Sequence, residues 1–145
     1  MKLEALGTQE RAARSGATHV ITIVASDLTN TTAAASQTIE LKDALAGQFV
    51  KGIGMKLVTP FHDASDSTFN SVTVAVGDGS DTDRFITATQ VNANGTSVAH
   101  KAPTTTVRAY LATDTIDAIV TSMSAKKLSD IDVGELQIFV KVYEM

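Results

Sequence analysis

Cysteine and tryptophan are absent, proline occurs only twice, and aromatic residues make up 5% of the chain. The missing cysteine excludes thiol catalysis, thiolate zinc sites and disulfides. With so few rings, the core has to be filled mainly by Val, Ile, Leu and Ala, and aromatic platforms for sugars are scarce. A basic surplus is also missing: the net charge is −4, which argues against a nucleic-acid partner, since that requires a concentrated basic face. No run approaches the roughly 18 apolar residues of a membrane span, so no membrane partner is expected. Residues 1–16 lack the apolar stretch of a secretory signal. The expectation is a protein that stays in the cytoplasm, or in a particle assembled there. The Asn-X-Thr triplets at Asn30 and Asn94 then read as chance matches.

What is present is a chain of 145 residues with 43% apolar content. That suits one folded domain of ordinary size, with a real core and no need of a metal or disulfide staple. Residues 1–17 differ from the rest. They are polar and broken by Gly7 and Gly16, and although Leu3 and Leu6 could line one short helical stripe, the segment is too short to hold a helix alone. They read as an extended N-terminal arm, and residues 18–145 as the body.

The body shows period-two patterning. Residues 19–26 are β-branched, and residues 37–41 make a short strand candidate followed by one helical turn over 42–47. Residues 49–59 alternate with Phe49, Ile53, Met55 and Leu57 on one face, and Pro60 is expected to end the strand. The cleanest alternation is Val72, Val74 and Val76. Residues 77–83 read as a loop, 84–91 as a strand, and Asn94-Gly95 as a hairpin leading into residues 96–100. Val107, Ala109 and Leu111 are expected inward, residues 116–123 run back, and 126–133 form a loop or helical turn. The chain closes with Leu136, Ile138, Val140 and Val142 on one face. About eight one-faced strands must bury those faces against each other. The predicted fold is therefore all-β, a two-sheet antiparallel sandwich of jelly-roll type, with an immunoglobulin-like order as the alternative.

Candidate chemistry is thin. His19, His62 and His100 fall in separate segments with no ligand spacing between them. Asp78, Asp81 and Asp83, with glycines for turning, are a weak candidate for a Ca²⁺ loop, but they lack EF-hand spacing. An inter-strand turn explains the same residues. Gly52-Ile-Gly54 lies inside a strand rather than between strand and helix, so it fails as a dinucleotide fingerprint. No nucleophile motif or phosphate loop occurs. The expectation is no catalytic residue, no cofactor and no enzyme activity. The arm offers Lys2, Arg11 and Arg14, with Leu3 and Leu6, as candidate partner-binding residues.

The runs Gly-Met-Lys-Leu-Val-Thr-Pro-Phe (54–61), Val-Thr-Val-Ala-Val-Gly-Asp-Gly-Ser-Asp-Thr-Asp-Arg-Phe-Ile-Thr-Ala-Thr (72–89), Thr-Ile-Asp-Ala-Ile-Val-Thr (115–121) and Gly-Glu-Leu-Gln-Ile-Phe-Val-Lys-Val-Tyr (134–143) resemble small structural proteins of tailed bacteriophages. The members meant are jelly-roll capsid decoration, or cement, proteins. The resemblance implies a homodimer or homotrimer on the capsid exterior that binds the major capsid protein and bridges capsomers. It carries no catalytic residues. A tail, head-fibre or adaptor component, a carbohydrate-binding sandwich and a metal-dependent enzyme stand as alternatives.

Overall fold

The computed structural model describes residues 1–9 and 16–144. Among these, ten strands form two antiparallel sheets packed face to face. The first sheet runs β1 (Lys2–Ala5), β2 (His19–Val24), β10 (Val133–Glu144), β4 (Gln48–His62), and then β7 (His100–Lys101) and β8 (Val107–Tyr110) one after the other along the far edge of β4. The second runs β3 (Ser36–Ala44), β9 (Asp114–Thr121), β5 (Thr73–Asp78), β6 (Asp81–Gln90). From β2 to β10 the chain crosses between sheets at nearly every step, and only β5–β6 and β7–β8 stay within one. With β7 and β8 sharing one position, that is the eight-strand jelly-roll order.

One-faced strands explain the core. Ile21, Ile23, Ile53, Met55, Leu136, Ile138 and Val140 come from the first sheet and meet Leu41, Val74, Val76, Ile116, Ala118 and Val120 from the second. All are nearly sealed from solvent. Each large aliphatic side chain buried this way contributes about 1.5–3 kcal/mol. Phe61 and Phe69, both buried, belong to the same core.

Four expectations are corrected, three of them by bulges. Residues 42–47 form no helical turn: β3 continues to Ala44. A register shift between Glu40 and Lys42 inserts Leu41, so Leu41 and Ala44 are both buried at a spacing that imitates a helix. Pro60 does not end β4, which runs to His62. The ladder with β10 jumps from Thr59↔Glu135 to His62↔Val133, so Pro60 falls where its missing N–H is not needed. Phe49 is not on the core face. A further bulge, between the pairs Gly54↔Phe139 and Lys51↔Lys141, holds Gly52 at φ +65° and flips the phase. Val50 points inward, and Phe49 stacks on Tyr143 outside, with centroids 5.2 Å apart.

The fourth correction concerns β8, where Tyr110 is buried while Val107 and Leu111 are 48% and 87% exposed. The observed facing is one residue out of phase with the expected one. It is short and at an edge, so alternation there had little to anchor it. Arg108, on the same face as Tyr110, escapes to solvent and lies over the Tyr110 ring. Two smaller differences follow the same logic. The stretch 77–83 is mostly strand, a hairpin turning at Gly79-Ser80, and the strand expected over 96–100 is only β7.

The N-terminal segment lies along the body. Lys2–Ala5 pairs with residues 19–22 of β2, and Leu6 packs on Ala17, Val20 and Phe139 as a small cluster on the outer face of the first sheet.

Candidate interaction surfaces

The arm residues divide three ways. Lys2 is exposed and ion-paired to Glu4 at 2.6 Å. Leu3 is 44% exposed and Leu6 is buried; Leu6 therefore anchors the segment and is not available to a partner in this fold. Arg11 and Arg14 lie outside the described residues. Strand β1 forms the sheet edge, and its four residues are all exposed. An edge of this kind offers backbone donors and acceptors to another strand.

The three acidic candidates do not converge on a cation. Asp78 is buried, and its carboxylate is committed: it accepts from Arg84 Nε at 2.6 Å, Tyr110 Oη at 2.9 Å, Ser80 Oγ at 2.9 Å and the Asp81 backbone N–H. Asp81 meets Arg84 only at 4.0 Å, and Asp83 is exposed. Among the described residues, no group of three or more His, Asp or Glu side chains is placed to hold a metal ion. Burial alone would raise the Asp78 carboxyl, but the hydrogen bonds from Arg84, Ser80 and Tyr110 outweigh it and hold it below its ordinary value. The same burial, with Asp78 beside it, pushes the Tyr110 hydroxyl well up, so it stays protonated and donating.

This buried Tyr110–Asp78–Arg84 group went unread as a unit in the sequence, yet half of its signal was there. The count that puts Val72, Val74 and Val76 inward also puts Asp78 inward, where a carboxylate requires partners. The second missed residue is Asp117, 7% exposed, whose Oδ1 accepts no hydrogen bond. Burial raises its carboxyl, and the charges of Glu40, Asp114 and Asp78 add to that, while Thr115 partly offsets it.

The histidines stay apart. His19 Nδ1 lies 2.8 Å from Thr18 Oγ1, His62 Nδ1 lies 3.1 Å from the Pro60 carbonyl, and His100 is exposed on β7. Tyr110, which the sequence left available as a sugar platform, is buried.

An apolar groove of about 350 Å³ lies on the first sheet, between β4 and the segment 99–103. Gly54 and Phe139 line it with Ala102 and Pro103, and Lys56, His100 and Lys101 are its ionisable lining residues. Gly54 lets the covering segment sit down: a Cβ there would stand 3.1 Å from both the Lys101 carbonyl and the Pro103 nitrogen. The charges of the sandwich are also segregated. Strands of the first sheet carry Lys2, Lys51, Lys56, Lys101, Arg108 and Lys141 against Glu4, Glu135 and Glu144. Strands of the second carry Glu40, Asp43, Asp78, Asp81, Asp83, Asp114 and Asp117 against Lys42 and Arg84.

Neither a protein-family model nor a curated protein sequence matches the chain. Solved structures do share its fold. A chain of the acidic stable capsid structure of Helicobacter pylori bacteriophage KHP30 superposes with a TM-score of 0.55 at 11% identity, covering 87% of this chain and 86% of that one. A chain of the cyanophage Pam1 capsid asymmetric unit superposes with a TM-score of 0.58 at 16% identity, covering 87% and 81%. At such identities the likeness is one of fold.

Proposed function

We propose that this chain is a structural protein of a tailed-phage virion, a decoration protein that binds the outer surface of the capsid, bridges capsomers and has no catalytic task. The observation that carries the reading is the fold shared, over 87% of the chain, with chains from two phage capsid structures. The surface chemistry supports it. The organised polar group around Asp78 is buried and self-satisfied, which suits rigidity better than turnover. The open features are a strand edge and an apolar groove, both suited to protein contacts. In this reading residues 1–17 serve as the arm toward the major capsid protein: β1 adds to a strand of the shell, Lys2 and Leu3 face it, Arg11 and Arg14 of the same segment meet acidic groups, and Leu6 pins the segment to the body. Many copies on one shell make modest single contacts sufficient.

The test is cryo-electron microscopy with quantitative mass spectrometry of the native particle. Density for the sandwich outside the shell, at a copy number comparable to the capsid protein, is the expected result. A few copies confined to the tail or neck would replace the reading with an adaptor or fibre role, and absence from the particle would end it.

A further inference from the structure

We propose that copies of this chain join head to tail, the Leu111 corner of one entering the Phe139 groove of the next. The two halves of the contact are separate features of one molecule, and each is odd alone.

The corner is built where two turns meet. Leu111 follows Tyr110 at the end of β8 and is 87% exposed; Leu45 follows Ala44 at the end of β3 and is 47% exposed. The turns are fastened together, since the Gly47 N–H donates to the Tyr110 carbonyl at 2.8 Å and Ala44 pairs with Asp114. Single exposed leucines are ordinary. Here two stand on adjoining turns, with Asp43 and Asp114 within two or three residues of them in the chain. The β5–β6 hairpin with Asp81 and Asp83 is drawn to the same end, its Gly79 N–H reaching Asp114 Oδ1 at 3.3 Å. The corner is an apolar knob whose surround carries Asp43, Asp81, Asp83 and Asp114 against Lys42, Arg84 and Arg108, an acidic balance.

The groove has the opposite character. Gly54, Phe139, Ala102 and Pro103 are among its apolar lining, and the ionisable residues that line it are Lys56, His100 and Lys101, with no carboxylate. Apolar character and charge balance therefore match corner to groove, and opposite potentials steer and orient such a contact. A copy cannot fill its own groove. β8 pairs with residues 48–51 of β4, whereas β7, beside the groove, pairs with residues 55–56. That separation amounts to roughly 20 Å at the usual rise per residue. Two different patches in contact make a heterologous interface, which closes into a ring or runs on as a chain. The inference does not depend on the virion reading: it concerns self-contact in solution and stands or falls by itself.

Sedimentation velocity on the full chain, up to about 100 µM to capture a micromolar Kd, supplies the test. Wild type is expected to show a sedimentation coefficient that rises with concentration and falls back toward the monomer in about 1 M salt, where charge attraction is screened within a few ångströms. Leu111→Asp and Lys56→Glu/Lys101→Glu should each remain monomeric, with unchanged melting temperatures because all three side chains are at the surface. Mixed in equal amounts, the two variants should form a one-to-one dimer, since one retains a groove and the other a knob. Leu111→Ser supplies a milder knob variant should the aspartate perturb the turn. A wild type that stays monomeric throughout overturns the proposal. So does an oligomer that both variants retain, or a mixture that stays monomeric.

Discussion

The Tyr110 hydroxyl donates a 2.9 Å hydrogen bond to Asp78 Oδ2, joining β8 of one sheet to β5 of the other through the interior of the sandwich. Apolar packing is tolerant of small slides between sheets; a directed bond to a buried carboxylate is not. Arg84 on β6 and Ser80 in the hairpin complete the shell around Asp78, so the group fixes how one end of the second sheet sits on the first. Tyr110→Phe should therefore lower stability by about 1–3 kcal/mol, as expected when a buried charged acceptor loses one donor. Urea denaturation measures this. Asp78→Ala should cost more, because it leaves Arg84 and Tyr110 without their partner.

Two aspartates give stability opposite pH dependences. The Asp78 carboxyl lies below its ordinary value of 3.8 in the folded chain. Its contribution is present above pH 3.8 and is lost as pH falls through the lower folded value. The Asp117 carboxyl is raised, so its contribution is full below pH 3.8 and is lost as pH rises through the folded value. Asp117→Asn removes the second effect only. It should stabilise the protein by about 1 kcal/mol at pH 7, a few degrees in Tm, and change little near pH 3.5. Melting curves from pH 3 to 8 check the sign, and a gain that persists undiminished at low pH would contradict it.

Val74 is 1% exposed in the middle of β5. Val74→Asp buries a charge with no partner and should cost several kcal/mol, enough to abolish the cooperative melt or shift it far down. Leu111→Ser, at the surface, should leave the monomer's unfolding free energy within about 0.5 kcal/mol. The pair tests the strand facings directly, because the sequence alone had placed both residues inward.

Leu6 packs on Ala17, Val20 and Phe139. Leu6→Ala should cost about 2–3 kcal/mol if the cluster is part of the cooperative unit. Hydrogen exchange at residues 19–22, which pair with β1, should accelerate in the same variant.

The sandwich was legible wherever alternation ran unbroken. Val72, Val74 and Val76, and Leu136, Ile138 and Val140, face the core as period two requires. The reading failed where a bulge added a residue, since one insertion moves every later side chain to the other face. Phe49 and Val50 are separated from Ile53 by such an insertion at Gly52, and Leu41 sits in another. The surfaces were less legible. Asp78 was seen as part of a loop because Asp and Gly are turn formers, although its parity with Val76 carried the hint of burial. Its partner Tyr110 lies 32 residues away, and only the fold brings the two together. The groove is likewise assembled from β4, β10 and the segment 99–103, with no local pattern to mark it.

β10, which follows the other nine described strands in the chain, holds the middle of the first sheet, with β2 on one side and β4 on the other. Until residues 133–144 emerge from the ribosome, β2 and β4 have no neighbour to share, and the long-range pairing that unites them must wait. Such nonlocal closure is slow, and it makes assembly all or nothing. A truncated copy would present unfilled strand edges and be cleared or aggregate rather than join a larger structure as a defective part.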